Sequence, residues 1–309
     1  MPNYQGVWSL STQYQNAGAW PIDSSNRGIY AGGLSGYSAD IQFIHIPTLG
    51  NSADFGDLFE GVSTTAAASS STRYLYAGGF NGDRINTIQY GNYNGGTGAD
   101  FGDLTAGKND LGGLSSETRA VFVGGGTPSR SNVIEYVTIA STGNGTDFGD
   151  LITALSDLRA VASTTRGVTM GGQVTNQNQY ITIASTGNAS DFGDMLVDYI
   201  TQGGACSNAT RGLYAGGRIP SSGTIVDTIQ YITIASTGNC VDFGDLLSAD
   251  RYNDGVSSST RAVFLGFSGT DQSEYVTIST TGNAVEFGDL AGNRTEEGTG
   301  TSNSHGGLS

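Results

Sequence analysis

The chain has 309 residues, a formal net charge of −15, 49 glycines and only 13% charged residues. This length and composition suit a single repeat-built domain and exclude a disordered chain. Nucleic-acid binding is excluded as well, because it needs clustered basic residues, and Lys108 is the only lysine. No apolar run reaches membrane-spanning length and no basic region followed by an apolar core opens the chain, so we expect neither membrane insertion nor secretion.

The N-terminal segment, residues 1–25, is rich in aromatic residues and lies outside the repeat pattern of the remaining chain. Exposed aromatic side chains are unfavourable unless the domain's own surface or a partner covers them. We therefore predict a docking arm over residues 1–25 and a separate domain over residues 26–309. The arm's candidate partner-binding residues are Tyr4, Trp8, Leu10, Tyr14 and Trp20.

The rest of the sequence is one unit copied six times. An acid followed by Phe-Gly-Asp begins at Asp54, Asp100, Asp147, Asp191, Asp242 and Glu286. An Arg that opens an apolar run recurs every 45 to 50 residues, at Arg27, Arg73, Arg119, Arg166, Arg211 and Arg261. This period is typical of propeller blades and solenoid turns, and the segments lack the 3.6-residue spacing of helical repeats. The repeats are therefore predicted to be β-structure.

The fourth copy displays the predicted strands of one unit. Strands are expected at Ala160–Ser163, Arg166–Met170, Gln179–Ala184 and Asp191–Met195, with a Ser-Thr-Gly-Asn turn at 185–188 before the last one. Gly supplies positive φ in such turns, and neighbouring Asn and Thr are common there. Each unit is thus a four-stranded antiparallel sheet.

The order of these features resembles that of kelch repeats. A second strand ends on Gly-Gly at residues 32–33, 78–79, 124–125, 171–172 and 216–217, and a third strand carries Tyr90, Tyr136, Tyr180, Tyr231 and Tyr275. Where kelch blades usually carry Trp, this chain has Phe55, Phe101, Phe148, Phe192, Phe243 and Phe287. The resemblance implies an all-β, six-bladed propeller of four-stranded blades.

Closure of the ring is also predicted from the sequence. The first copy lacks an innermost strand before Arg27, whereas residues 296–304 read like the innermost strand at 254–260. We expect this C-terminal strand to join the first blade, whose other three strands lie within residues 27–58. Candidate innermost strands consist of small residues, as crowding near a propeller axis requires.

The repeated acids and arginines are interpreted as architectural. The six signatures hold 12 of the 28 acidic residues, on the outermost strands, where charge discourages edge pairing and Asp caps turns. Calcium binding at the rim is the alternative. We hypothesise a ring of Arg-to-Asp contacts, and the repeat-structural residues are Arg73, Arg119, Arg166, Arg211, Arg261, Phe101, Phe148, Phe192, Phe243 and Phe287.

Enzymatic activity is not expected. The two histidines, His45 and His305, occupy loosely related positions, and no His and Cys cluster has metal-ligand spacing. Cys206 and Cys240 are expected to be free thiols in separate parts of one blade. Identical acids in every blade favour architecture over a single glycosidase site, so we predict no catalytic, cofactor or metal residues.

A binding or assembly role remains. Loops between second and third strands vary most, and the one containing Arg218, Ile219 and Pro220 is the longest of those compared, which makes these residues candidate contacts. The leader from Gly6 to Trp20 resembles that of repeat-containing virion proteins of tailed phages, notably marine cyanophages. That resemblance implies a non-enzymatic virion protein of the tail or another appendage, assembled in the host cytoplasm and bound to other virion proteins through its arm. The alternative is a lectin-like propeller that binds a host receptor or glycan.

Overall fold

The protein is an all-β, six-bladed propeller in the computed structural model, which describes residues 25–34, 36–197, 200–291 and 296–308. The predicted fold class is confirmed. In chain order the strands are β1 (Arg27–Ala31), β2 (Asp40–His45), β3 (Ala53–Asp57), β4 (Ala66–Ser69), β5 (Arg73–Ala77), β6 (Thr87–Asn92), β7 (Gly95–Asp103), β8 (Gly112–Ser115), β9 (Arg119–Val123), β10 (Gly126–Thr127), β11 (Ser129–Thr138), β12 (Thr146–Leu155), β13 (Leu158–Ala162), β14 (Arg166–Gly171), β15 (Gln177–Thr182), β16 (Ser190–Asp194), β17 (Gly204–Ser207), β18 (Arg211–Ala215), β19 (Thr228–Thr233), β20 (Val241–Asp245), β21 (Asp254–Ser257), β22 (Arg261–Leu265), β23 (Gln272–Thr277), β24 (Val285–Asp289) and β25 (Thr299–Ser302).

Each blade is an antiparallel sheet that runs from an inner to an outer strand. Blade I has the order β25-β1-β2-β3, blade II β4-β5-β6-β7, blade IV β13-β14-β15-β16, blade V β17-β18-β19-β20 and blade VI β21-β22-β23-β24. Blade III is built on β8, β9, β11 and β12, and the short strand β10 folds back on β11 as a hairpin. Blade III therefore departs from the regular repeat, since β11 and β12 each extend to ten residues.

The C-terminal strand completes the first blade, as predicted. Strand β25 pairs antiparallel with β1, from Gly28 opposite Ser302 to Ala31 opposite Thr299. The inner strands β4, β8, β13, β17, β21 and β25 follow one another around the axis, and β25 packs against β4. The ring is therefore closed by main-chain hydrogen bonds within blade I.

Inner serines join neighbouring blades around the axis. The Ser115 hydroxyl donates to the Ser69 carbonyl at 2.8 Å, and Ser257 donates to Ser207 at the same distance. In the same way, the Ser69 hydroxyl donates to the Ser302 carbonyl and the Ser207 hydroxyl to the Ala162 carbonyl. The Ser302 hydroxyl donates to the Ser257 carbonyl. Blade IV has Ala162 at this position, so its inner strand lacks the hydroxyl that would bond to blade III.

The apolar core lies between the blades. One buried cluster, for example, combines Leu75 and Ile88 of blade II with Phe122 and Ile139 of blade III. The second strand of each blade is buried on both faces because neighbouring blades cover it. No described segment forms a helix long and apolar enough to cross a membrane.

The propeller has two distinct faces. The turn face carries the turns between first and second strands and between third and fourth strands, such as residues 185–188. The loop face carries the loops between second and third strands, such as residues 217–227, and the connections from one blade to the next. Candidate sites are described below by the face on which they lie.

Candidate functional site

The repeated Arg fastens each blade to the next one. The Nη1 of Arg166 in blade IV donates to the Ile234 carbonyl of blade V at 3.0 Å, and its guanidinium carbon lies 4.6 Å from the centre of the Tyr180 ring. The same pair of contacts recurs at Arg73, Arg119, Arg211 and Arg261, with Arg261 reaching the Ile46 carbonyl of blade I. Arg27 of blade I donates likewise to the Tyr93 carbonyl of blade II at 2.5 Å and lies over the Phe43 ring, so the six contacts form a ring of interblade links.

The hypothesis that the repeated arginines bind Asp is therefore wrong at Arg73, Arg119, Arg166, Arg211 and Arg261. The guanidinium lies over the aromatic ring of its own blade and points to a carbonyl at the end of the next blade's third strand. The Asp side chains of the signature instead lie on the exposed outer strand, as at Asp54 and Asp100. The guanidinium donates a hydrogen bond to the carbonyl and makes a cation–π contact with the Tyr ring, so it needs no carboxylate partner.

The Phe-Gly-Asp signature forms a bulge that the next blade covers. The Gly238 N–H of blade V donates to the Phe192 carbonyl at 2.7 Å, and the Asp194 N–H donates to the Asn239 Oδ1 at 3.0 Å. Gly193 has a φ of 138°, and a Cβ there would clash with the carbonyl group of Gly238. The sequence-based interpretation assumed that the outer strand is an exposed sheet edge. At the signature this is not so, because a turn of the next blade hydrogen-bonds to the outer strand.

The acids and the aromatic residue of the signature have separate roles. Asp191 Oδ1 accepts a hydrogen bond from the Gly193 N–H at 3.1 Å, which is the predicted turn capping. Phe192 is buried and meets Tyr180 edge-on, with ring centres 6.0 Å apart. Equivalent edge-on pairs join Tyr90 with Phe101, Tyr136 with Phe148, Tyr231 with Phe243 and Tyr275 with Phe287.

Sequence reasoning missed one further interblade link. In each copy the residue before the third-strand aromatic is Gln or Glu, and it is buried. Gln230 of blade V, for example, accepts a hydrogen bond at 2.7 Å from the Leu196 N–H of blade IV. In blade III this residue is Glu135, which also forms a buried ion pair with Lys108. The recurrence of Gln or Glu before the aromatic residue was the available signal.

The loop-face end of the axis is the candidate functional site. One residue from each blade has a left-handed conformation there, with φ from 53° to 65°: Thr64, Asp110, Asp157, Gln202, Tyr252 and Glu297. Their main chains bond to one another, as in the 2.9 Å bond from the Asp157 N–H to the Asp110 carbonyl. All six residues line a cavity of about 30 Å³, which we call the axial mouth.

The axial mouth is polar and net acidic. Arg159 lies at its base, where its Nε is 3.7 Å from Asp254 Oδ1 across the axis. Burial, followed by the charge of Asp157, raises the pKa of Asp110 to about 7. Burial, then Asp157 and Glu296, raise the pKa of Glu297 above its ordinary value. Oxygen-bearing side chains from six blades therefore converge on one space the size of a few water molecules.

The mouth offers polar atoms for hydrogen bonding. Among the residues that the structure describes, none is a hydrogen-bond partner of the buried Thr64 Oγ1 and Gln202 Oε1 atoms. Within the described ranges, no group of three or more His, Cys, Asp or Glu side chains is placed to hold a metal ion. The geometry suits polar groups of a ligand or partner that both donate and accept hydrogen bonds.

The structure places part of the predicted partner-binding set beside this mouth. Arg218, Ile219 and Pro220 lie on a loop of blade V on the loop face, where the Ile219 N–H donates to the Thr224 carbonyl at 2.8 Å. Burial raises the pKa of Tyr252, and the charges of Arg251 and, to a smaller extent, Arg218 oppose this shift. The predicted arm, with Tyr4, Trp8, Leu10, Tyr14 and Trp20, lies outside the described residues except for Ser25.

The fold and its ring of interblade links define this protein as a six-bladed β-propeller whose blades repeat one four-stranded plan, with an added hairpin in blade III. No protein-family model matches the chain, and no curated protein matches it. Both cysteines are free and buried, Cys206 on inner strand β17 and Cys240 before outer strand β20.

Proposed function

We propose that this protein is a non-enzymatic structural component of a phage virion, on the tail or another appendage. Its propeller serves as a rigid interaction module, and residues 1–25 dock it to other virion proteins. The observation that carries the proposal is that three kinds of hydrogen bond join each blade to the next, which makes the propeller rigid. They are made by the repeated Arg, by the turn that covers the Phe-Gly-Asp bulge, and by the Gln or Glu before the third-strand aromatic residue. A propeller is a common protein-interaction module.

The sites of the described chain support a role without catalysis. His305 Nδ1 accepts a hydrogen bond from the Gly307 N–H at 3.0 Å within the C-terminal segment. His45 Nδ1 lies 3.0 Å from Thr48 Oγ1 in the same turn. The repeated acids act on their own blade, where Asp191 caps a bulge. Repetition of a residue in every blade indicates a common structural duty, whereas a catalytic centre needs a unique set.

The virion assignment draws on the sequence. The leader from Gly6 to Trp20 and the low-lysine, Ser/Thr/Asn/Gly-rich repeats resemble those of phage structural proteins. Assembly into the particle would take place in the host cytoplasm, without a membrane-bound stage. Neither a cofactor nor nucleic acid is part of this proposal.

Co-sedimentation with purified particles from the native source tests the assignment. Full-length protein is expected to sediment with the particles, and a variant lacking residues 1–25 is expected to remain in solution with an unchanged melting temperature. A full-length protein with Trp8→Ala and Trp20→Ala provides a smaller perturbation of the same arm. Failure of the full-length protein to associate would contradict the virion role.

A second candidate function is binding of a host receptor or glycan, and the axial mouth favours it. Its interleaved acceptors and donors, together with Tyr252 and the adjoining Arg218 loop, suit hydroxyl-rich ligands. Binding of full-length protein to a glycan array, lost on Gln202→Ala and retained on Gln272→Ala, would support it. Gln272 is the control because it begins the third strand of blade VI, outside the residues that line the mouth.

A further inference from the structure

The C-terminal segment, residues 303–308, crosses the turn-face end of the axis. The Gly306 N–H donates to the Ser207 carbonyl at 2.8 Å, and the Ser304 hydroxyl donates to the Ser257 carbonyl at 3.2 Å. His305 Nε2 lies 3.3 Å from the Ser69 carbonyl oxygen. This short segment therefore contacts the inner strands of blades II, V and VI at once.

The segment fits its seat closely and covers a cavity. A Cβ on Gly306 would clash with the carbonyl of Asn208, and one on Gly307 would clash with the carbonyl of Ser115. Beneath it lies a cavity of about 50 Å³, lined by small inner-strand residues, by Cys206 and by His305 itself. Residues 303–308 thus close one end of the axial channel.

The contacts of His305 define its protonation state. The Gly307 N–H donates to His305 Nδ1 at 3.0 Å, so Nδ1 is an acceptor and carries no proton. The proton is therefore on Nε2, which lies 3.2 Å from Ser115 Oγ and faces the Ser69 carbonyl. His305 holds the segment in place as a neutral ring.

A second proton on His305 would oppose this arrangement. It would place an Nδ1–H against the Gly307 N–H, two donors facing each other, and would put a charge into a buried site. Burial lowers the pKa of His305 to about 4, against smaller opposing effects of the Ser69 carbonyl and the Glu117 carboxylate. Glu117 is the charged group that acts on this ring, while the facing Ser69 and Ser115 carry no charge.

We propose that residues 303–308 are an acid-released strap that closes the turn-face end of the axial channel. Protonation of His305 removes its bond with Gly307, the strap leaves its seat and the channel opens. Blade I stays closed during this change, because β25 pairs with β1 through main-chain bonds of residues 299–302 and Asn303, the first residue of the strap, stays bonded to Arg27 as its anchor. The device is independent of whether the protein is part of a virion.

The two cysteines allow a direct test on the full chain. Cys206 lines the cavity behind the strap, whereas Cys240 is buried elsewhere, with its Sγ 3.7 Å from Met195 Sδ. A pyridyl disulfide, which reacts with thiols even in acid, labels both cysteines. Mass spectrometry of the peptides gives the labelling rate of each cysteine, which is divided by the rate in the unfolded chain at the same pH. Between about pH 6.5 and about pH 4, Cys206 is expected to lose at least about tenfold of its protection while Cys240 keeps its own.

Matched variants separate the strap from global unfolding. His305→Gln cannot titrate and is expected to abolish the pH response of Cys206, whereas His45→Gln, a change of the other histidine, retains it. Gly306→Val cannot seat the strap, so Cys206 is expected to label quickly at every pH while Cys240 stays protected. Joint loss of protection at both cysteines, a response that persists in His305→Gln, or no response at all would overturn the proposal.

Discussion

Replacing Arg166 with Met is expected to lower the free energy of unfolding by about 3 kcal/mol. The substitution removes a charged donor to the Ile234 carbonyl, which is worth about 1.5 to 3 kcal/mol, and a cation–π contact with Tyr180 worth about 0.5 to 2 kcal/mol. Met retains most of the aliphatic packing. An exposed Arg–Asp pair would instead contribute about 0 to 1 kcal/mol, so the size of the loss distinguishes the two geometries.

Urea unfolding followed by circular dichroism measures this loss as a lower midpoint at an unchanged slope. Arg130→Met is the matched control, because the exposed Arg130 donates to Gln173 on the surface and should change stability by less than about 0.5 kcal/mol. Arg166→Lys keeps the charge but not the planar guanidinium, and it should recover only part of the loss. Equal midpoints for Arg166→Met and Arg130→Met would refute the role of the interblade link.

Three further changes have defined outcomes. Gly193→Ala should destabilise the protein in urea by about 3 kcal/mol or more and Gly187→Ala by only about 1 kcal/mol, since both have positive φ but only Gly193 meets the next blade. The pKa of His305 is lower in the folded protein than in the unfolded chain, so its contribution to the free energy of unfolding is complete above about pH 6.5. That free energy should fall by at most about 3 kcal/mol toward pH 4, and the His305→Gln variant should lack this pH dependence. Lys108→Met leaves Glu135 buried without its ion-pair partner and should cost about 3 to 5 kcal/mol by thermal unfolding, much of it recovered when Glu135→Gln is added.

The sequence was sufficient for the fold because each blade repeats the same local signals. The Phe-Gly-Asp signature and the Ser-Thr-Gly-Asn turn locate strand ends to within about two residues. The small-residue pattern at residues 296–304 also predicted which blade the C-terminal strand completes. Blade III was the exception, because nothing in the loop before Ser131 predicts that it pairs as an extra hairpin.

Interblade contacts were less predictable because their partners lie in the next repeat. Arg166 meets a carbonyl 68 residues away, and a backbone acceptor leaves no mark on residue type. The axial mouth was missed for a different reason. Its six positions carry Thr, Asp, Gln, Tyr and Glu, so what they share is a left-handed backbone rather than a side chain.

The pairing of β1 with β25 has a consequence for synthesis of the protein. Ala31 meets Thr299, which leaves the ribosome 268 residues later, so β1 waits for its inner partner. At about 5 to 20 residues per second, that delay is roughly 15 to 50 s. Blades II to VI can assemble on one another during this time, and the nascent propeller is an open arc until β25 emerges.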